Sequence, residues 1–171
     1  MKGIGALNFN IAVVDDELSD IERLKSFIRN WFVRSEHTSG AIRSYTSGEE
    51  ILRDFVQGKF HVIFMDIMMH QINGIETARC LRQHDIRVPI VFITASGKYM
   101  PDAFSVHSFD YILKPYHEKD VFRVLDEVVR VLNAEDPKVT LKVPNGEYEI
   151  PMRMISSVVS NGHNVEVNMT D

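Results

Sequence analysis

Short apolar runs alternate with amphipathic segments along most of this chain, and this alternation restricts the possible folds more than any other feature. The runs are apolar at consecutive positions and rich in branched side chains, which is typical of strands buried on both faces of a parallel sheet. The segments between them carry apolar residues at helical spacing and can serve as crossover connections. The sequence therefore predicts an α/β fold, a doubly wound parallel sheet with helices on both faces. The five predicted strands are residues 9–14, 41–45, 62–65, 90–93 and 109–113.

The predicted helices differ in how clearly the sequence marks them. Ser47 and Glu50 have the spacing of a capping box, which predicts a helix that carries Phe55 on its apolar face and ends at Gly58. The helix predicted at 99–106 is short and poorly patterned. The other helices are predicted at 17–33, from Gly74 onward, and at 118–133.

The pattern changes after residue 133. Residues 134–138 are polar and include a proline, which is typical of a linker. Residues 139–171 contain short strand-like pieces separated by the hairpin-turn pairs Asn145-Gly146 and Asn161-Gly162. Because so short a segment cannot bury a core alone, we expect it to be the first part of an all-β domain. The predicted organisation is a domain in residues 1–133, a linker and a partial β domain.

The composition is that of an ordinary globular protein and excludes several classes. The formal net charge is -5, so no overall basic field attracts nucleic acid. Cys80 is the single cysteine, so no intramolecular disulfide can form and a reducing compartment is expected. Residues 1–10 lack the features of a signal peptide, and no apolar run approaches the roughly 18 residues of a membrane span. We therefore expect a cytoplasmic protein that does not enter a membrane.

Polar side chains follow four of the predicted strands at the point where each strand ends. Asp15 and Asp16 follow the first strand, Asp66 the third, Thr94 the fourth and Lys114 the fifth. The carboxyl ends of parallel strands meet at one edge of the sheet, where open α/β sheets bind their ligands. Taken singly, each residue has a structural explanation, as a helix cap, a strand residue or a solvated charge. Their joint occurrence at strand ends predicts a functional site.

The residue types at this edge indicate phosphoryl chemistry. Three carboxylates close together repel one another unless they hold a hard divalent cation, and Mg²⁺ prefers such oxygen ligands. The Lys114 ammonium and the Thr94 hydroxyl suit the terminal oxygens of a phosphoryl group. Asp66 can then act as a nucleophile toward phosphorus, since carboxylates are recognised covalent nucleophiles. The sequence thus predicts a Mg²⁺ site at which an aspartyl phosphate forms.

These residues resemble the CheY-like receiver domain of two-component response regulators, and the resemblance covers residues 10–133. It implies a flavodoxin-like fold and transfer of a phosphoryl group from a sensor histidine kinase to Asp66. It also implies that Asp16, Asp66 and the backbone carbonyl of Met68 hold Mg²⁺, with Asp15 helping through water. Such domains are phosphoryl acceptors with at most slow self-dephosphorylation, so we do not expect a turnover enzyme.

By the same resemblance, Thr94 and Tyr111 form a switch pair that couples the phosphoryl group to a distant face. Thr94 would hydrogen-bond to the phosphoryl group while Tyr111 turns inward; the structural alternative is that Tyr111 is a strand residue with a solvated hydroxyl. The helix at 99–106 would form, with the fifth strand and the last helix, the face through which phosphorylated receivers pair. A homodimer formed on phosphorylation is therefore expected.

The segment from Tyr99 to Pro115 carries a narrower resemblance, to receivers attached to LytTR-type DNA-binding domains. It contains Ala-Phe-x-Val followed by Asp-Tyr-x-Leu-Lys-Pro, a combination similar to that of LytR- and AgrA-like regulators. Residues 139–171 resemble the opening of a LytTR domain, which implies a truncated C-terminal DNA-binding domain. His163 and Asn164 fall in a predicted hairpin loop of the kind with which some LytTR relatives contact DNA. The resemblance thus implies control of transcription.

Two residues depart from the receiver pattern. His70 stands where receivers usually have proline, and its simplest interpretation is a solvated loop histidine. Met68 occupies a position that tunes hydrolysis in the family, and its apolar side chain cannot orient a water. We therefore expect a phosphoryl group that lasts longer than in receivers with a polar residue at this position.

Two other functions stay open on the sequence. A receiver-only module would act through protein–protein contacts or as a phosphate sink, with the tail as a short appendage. A haloacid-dehalogenase-like phosphatase also combines an aspartate nucleophile with Mg²⁺, but it carries an Asp-x-Asp pattern on its first strand. Asp15-Asp16-Glu17 lacks this spacing, so the phosphatase is the weakest of the three hypotheses.

Overall fold

The computed structural model describes residues 7–35, 38–135, 138–143, 146–152, 155–161 and 164–169. The chain divides into two compact units, one within Gly5–Asp126 and the other from Glu127 onward. No helix in the described ranges is long and apolar enough to cross a membrane.

The first unit is built on a five-stranded parallel sheet of strands β1 (Ile11–Val14), β2 (Ile42–Tyr45), β3 (Val62–Met65), β4 (Ile90–Thr94) and β5 (Asp110–Leu113). The strands lie in the order β2-β1-β3-β4-β5. Strands β1, β3 and β4 are buried along their whole length, because helices cover both faces of the sheet. The predicted doubly wound α/β fold is confirmed.

The strand register brings the carboxyl ends of the central strands to one level. Val14 of β1 pairs with Met65 of β3, which in turn pairs with Phe92 of β4. Asp15 and Asp66 are the residues that directly follow the first of these pairs, so both emerge at the same edge. This edge also contains the point where the strand order reverses, between β1 and β3, where open α/β sheets bind ligands.

Helices connect the strands, and their buried faces follow the predicted periodicity. In the first helix, Ile21, Leu24, Ile28 and Trp31 are buried, and the indole Nε1 of Trp31 donates to Asp126 Oδ1 at 2.7 Å. A 3₁₀ turn, Gly97–Tyr99, precedes the fourth helix. The helices are α1 (Leu18–Arg34), α2 (Gly48–Asp54), α3 (Gly74–His84), α4 (Met100–Ser105) and α5 (Glu118–Glu135).

Helix α2 ends earlier than the sequence predicts. The Glu50 N–H donates to Ser47 Oγ at 3.2 Å, as in a capping box, but the Glu50 carboxylate accepts from the Thr46 N–H at 2.7 Å. At the other end, Phe55 is already extended and its ring packs 6.5 Å from that of Phe60. Tertiary packing of this ring therefore ends the helix at Asp54, although the apolar spacing alone would continue it.

The second unit contains two antiparallel hairpins. Strand β6 (Lys138–Val143) pairs with β7 (Gly146–Pro151), and β8 (Ile155–Asn161) pairs with β9 (Asn164–Met169). Val143 pairs with Gly146 and Asn161 pairs with Asn164, so each hairpin register is offset by one residue from the predicted turn pairs Asn145-Gly146 and Asn161-Gly162. The predicted β structure of this segment is confirmed, whereas the domain boundaries at 133 and 138 stay predictions.

Candidate functional site

Three carboxylates come together at the carboxyl edge of the sheet. Asp15 and Asp16 follow β1 and Asp66 follows β3, and one carboxylate oxygen from each lies within 4.8 Å of the others. Asp15 and Asp66 are buried, whereas Asp16 is partly exposed. The sequence pattern therefore placed these three acids correctly with respect to one another.

Asp66 has the environment expected of a reactive carboxylate. It is only 6% exposed, and its Oδ1 has no hydrogen-bond partner among the described residues. Its Oδ2 lies 3.5 Å from the Lys114 ammonium. Burial with an uncommitted oxygen leaves a lone pair available for a ligand or an electrophile.

Gly74 allows helix α3 to begin against the Asp66 backbone. Its N–H donates to Ile67 O at 3.0 Å, and a Cβ added to it would lie 2.2 Å from the Asp66 carbonyl oxygen. No side chain fits at that distance. Gly74, predicted from the sequence only as the start of a helix, is thus also a close packing point beside the Asp66 backbone.

Lys114 reaches the site from the end of β5 and contacts several carboxylates. Its Nζ lies 2.9 Å from Asp15 Oδ2 and 2.5 Å from Asp20 Oδ2. Burial would lower the pKa of Lys114, but hydrogen bonds with Asp20 and Asp15 outweigh it and raise the pKa above its ordinary value. The lysine therefore keeps its positive charge beside Asp66.

Sequence reasoning missed Asp20. It lies in the first turn of α1, where an acidic residue ordinarily interacts with the helix dipole, so no motif distinguished it. Its contact with Lys114 depends on a long side chain at the end of β5, which lies 94 residues further along the chain.

The other two acids of the cluster differ electrostatically. Burial raises the pKa of Asp15, although hydrogen bonds from Lys114 and from the Glu17 N–H act in the opposite direction. For Asp16, burial is outweighed by hydrogen bonds from His70, which lower its pKa. The pKa values of the two neighbouring acids are therefore shifted in opposite directions, upward for Asp15 and downward for Asp16.

His70 is an exposed loop residue, as the sequence predicts, but it also contacts the acidic cluster. Its backbone N–H donates to Asp16 Oδ2 at 3.0 Å, and its ring Nδ1 contacts the same oxygen. The ring is nevertheless 92% exposed. A proline at this position would lack the N–H donor, so the departure from the receiver pattern adds a link between the β3–α3 loop and the acidic cluster.

The predicted switch residues lie on neighbouring strands. Thr94 ends β4 and is fully buried, and its Oγ1 lacks a hydrogen-bond partner within the described part of the chain. The Tyr111 hydroxyl donates to the Ser96 carbonyl at 2.5 Å, and its ring lies 6.4 Å from that of Phe92. Burial, together with the nearby negative charge of Asp66, raises the pKa of Tyr111.

The remaining predicted residues lie elsewhere. Met68 follows Asp66 by two positions in the β3–α3 loop, with its side chain 52% exposed. His163 lies outside the described residues, and Asn164 is the first residue of β9. The structure therefore brings together the acids, Lys114 and the loop, and provides no test of a DNA contact.

The donor set suits a hard divalent cation such as Mg²⁺. Three carboxylate oxygens lie within ligand-sharing distance, and Asp66 Oδ1 is not committed to another partner in the described structure. Mg²⁺ is bound by one or two carboxylates with retained waters. These residues could hold such an ion while Lys114 balances the remaining negative charge.

Comparison of the sequence with known proteins gives consistent results. Residues 11–126 match the response regulator receiver domain family. The chain is similar to protein MrkE of Klebsiella pneumoniae (29% identity over 69% of this chain), to the transcriptional regulatory protein YpdB of Escherichia coli (27% over 69%) and to the sensory transduction protein LytT of Bacillus cereus (32% over 67%). The matches cover 42%, 46% and 45% of those relatives, so the chain spans less than half the length of each.

Comparison of the structure with solved structures identifies the same fold. The response regulatory domain of MrkE from Klebsiella pneumoniae matches 74% of this chain and all of that one, with a TM-score of 0.65 and 28% identity. A second match is the receiver domain of the sensor histidine kinase PA1611 from Pseudomonas aeruginosa, which was solved with a magnesium ion in its active-site cleft. The match covers 72% of this chain and 98% of that one, with a TM-score of 0.62 and 19% identity. With the family match over residues 11–126 and the acids at the carboxyl edge, this chain belongs to the response regulator receiver domain family.

Proposed function

We propose that this chain is a response regulator that accepts a phosphoryl group on Asp66 from a sensor histidine kinase and thereby controls transcription. The environment of the Asp66 carboxylate carries the proposal. It is buried, its Oδ1 has no hydrogen-bond partner among the described residues, and it lies beside the Lys114 ammonium and two further carboxylates. A nucleophile needs such an uncommitted lone pair together with charge compensation for the group that it accepts.

In the proposed reaction, Asp66 Oδ1 attacks the phosphorus of a phosphohistidine. An O–P bond forms as the N–P bond to the kinase breaks, and the released imidazole nitrogen takes up a proton. Lys114, at 3.5 Å from Asp66 Oδ2, compensates the charge on the phosphoryl oxygens. The chain is in this view an acceptor that returns the group slowly to water, and not a turnover enzyme.

We propose Mg²⁺ as the cation of this site. Asp16, Asp66 and the Met68 backbone carbonyl would hold it, with Asp15 assisting through water. The clustering of three carboxylates supports this assignment, as does the magnesium ion in the cleft of the Pseudomonas receiver domain. When bound, the cation neutralises charge on the equatorial phosphoryl oxygens.

In the proposed response, Thr94 couples phosphorylation of Asp66 to the surface formed by α4 and β5. The buried Thr94 hydroxyl would donate to a phosphoryl oxygen, and Tyr111 would then exchange its bond with the Ser96 carbonyl for an inward position. Large apolar side chains are exposed on α4 and β5, with Phe104 at 72% and Leu113 at 48%. These side chains suit a face that a second copy covers after phosphorylation.

The proposed output is DNA binding through a LytTR-type domain that the tail begins, with His163 and Asn164 as candidate DNA contacts. YpdB and NatR, among the similar proteins, are named transcriptional regulatory proteins, and LytT is named a sensory transduction protein. A cytoplasmic location follows from this proposal, because DNA and the phosphoryl-donor part of such kinases are found there.

A receiver that acts only through protein contacts is the second candidate, and the charge of the tail favours it. The residues after 137 carry no basic excess, which DNA binding would require. The charge is -1, from Lys138, Lys142 and Arg153 against Glu147, Glu149, Glu166 and Asp171.

The proposal is tested by incubating the full chain with Mg²⁺ and acetyl phosphate and measuring the intact mass. We expect one added phosphoryl group, which should be absent in Asp66→Asn and when the metal is chelated before acetyl phosphate is added. Asp102→Asn, at an exposed position on α4, is the matched control and should keep the adduct. An adduct that persists in Asp66→Asn would refute the assignment.

The dimerisation step has a separate test. Light scattering with beryllofluoride, which imitates a phosphoryl group, should show a doubled mass for the wild type and a monomer for Phe104→Ser. A mass that does not change on adding the mimic to the wild type would contradict the α4 interface.

A further inference from the structure

The Lys114 ammonium is shared among three carboxylates, and the nearest belongs to a residue outside the acidic cluster. Nζ lies 2.5 Å from Asp20 Oδ2, 2.9 Å from Asp15 Oδ2 and 3.5 Å from Asp66 Oδ2. The Lys114 side chain is 19% exposed and that of Asp20 is 28% exposed, so the pair is only partly screened by water. The shortest contact of this lysine is therefore with helix α1 and not with the phosphoacceptor.

The charge of Asp20 acts on the site through the lysine. It attracts the ammonium, which must approach a phosphoryl group on Asp66 in order to neutralise it. The lysine has a flexible four-carbon stem, so it can exchange one partner for the other without movement of the backbone.

We propose that Asp20 is a positioning residue that retains Lys114 in the unphosphorylated protein and thereby opposes phosphorylation of Asp66. Asp20 does not contact the reacting atoms; it acts through the lysine. The inference rests on the proposed function of Asp66 and adds a residue that sets how readily the site accepts a phosphoryl group. Formation of the acyl phosphate then moves the ammonium toward the phosphoryl oxygens and weakens its contact with α1.

The test compares wild type with Asp20→Asn in the full chain with Mg²⁺. Asparagine has the same shape and keeps an oxygen acceptor, so α1 should remain folded. Two quantities are measured, the rate of adduct formation from acetyl phosphate by intact mass and the affinity for beryllofluoride by fluorine NMR. We expect both to increase about threefold to tenfold, because the partly buried ion pair between Lys114 and Asp20 no longer has to be broken.

Three further variants separate a positioning role from a structural one. Asp20→Glu retains the charge and should behave as wild type. The third comparison is made in a Lys114→Met background. There, adding Asp20→Asn should not increase the affinity for beryllofluoride, because the lysine through which Asp20 acts is absent. Glu22→Gln, the matched control, removes one negative charge from the same helix at a residue that pairs with Lys25, and should change neither quantity.

The outcomes that contradict the role of Asp20 differ from the outcome that contradicts the proposed function. Equal or slower phosphorylation of Asp20→Asn, a gain that persists with Lys114→Met, or an equal gain in Glu22→Gln would each overturn the role of Asp20. Absence of any adduct on the wild-type chain would instead overturn the proposed function on which the inference rests.

Discussion

Thr94 is fully buried, and its hydroxyl has no hydrogen-bond partner among the described residues. A buried polar group without a partner costs about 1–3 kcal/mol. Valine has nearly the same shape, and it replaces the hydroxyl by a methyl group that gains from burial. We therefore expect Thr94→Val to raise the free energy of unfolding of the unphosphorylated protein by about 1–2 kcal/mol, or Tm by about 2–8 °C.

Thr77 provides the matched control for this prediction. It is also fully buried, but its Oγ1 donates to the Asn73 carbonyl at 2.9 Å. Thr77→Val should therefore lower the free energy of unfolding by about 0.5–1.5 kcal/mol. Urea denaturation followed by fluorescence of Trp31, the single tryptophan, measures both variants.

The two variants should thus change stability in opposite directions. Thr94→Val should also still accept a phosphoryl group yet fail to dimerise, because the hydroxyl is needed only in the phosphorylated state. A loss of stability in Thr94→Val as large as that in Thr77→Val would refute the reasoning, since it would show that the Thr94 hydroxyl is satisfied before phosphorylation.

Three other predictions concern the surroundings of the site. A Cβ at Gly74 would lie 2.2 Å from Asp66 O, whereas nothing lies within 4 Å of one at Gly97; Gly74→Ala should therefore lower Tm and slow adduct formation, and Gly97→Ala should do neither. Burial raises the pKa of Tyr116 from 10.0 to about 12, so its contribution to stability is complete below pH 10 and is lost as the pH rises toward 12; in denaturation at increasing pH, Tyr116→Phe should lose less stability over this window than wild type, and equal losses would contradict the assignment. Met68→Asn should shorten the lifetime of the phosphoryl group, because an amide can orient a water where methionine cannot, and an unchanged decay measured by intact mass would refute this.

The fold and the gathering of the main site residues could be predicted because both follow from strand order. Consecutive apolar residues identify buried parallel strands, and parallel strands end at a common edge. Asp15 and Asp66 each follow such a run directly, so their proximity needs no information about side-chain packing. Lys114 arrives at the same edge for the same reason. The chemical roles of these residues stay predictions.

The features that sequence reasoning missed depend on side chains that meet across elements. Asp20 has the position of an ordinary acidic residue in a first helical turn, and only the reach of Lys114 makes it part of the site. His70 lies in an exposed loop, where nothing in the local pattern indicates its contact with Asp16. The early end of α2 has the same origin, since Phe55 leaves the helix to pack against Phe60.

The central claim is that Asp66 itself becomes phosphorylated, and chemical identification of the modified residue tests it most directly. Borohydride reduces an acyl phosphate of aspartate to homoserine, which peptide mass spectrometry locates. After treatment with acetyl phosphate and Mg²⁺, we expect homoserine at position 66 and aspartate unchanged at positions 15 and 16. Homoserine at either of the latter positions, or phosphate on another side chain with Asp66 intact, would contradict it.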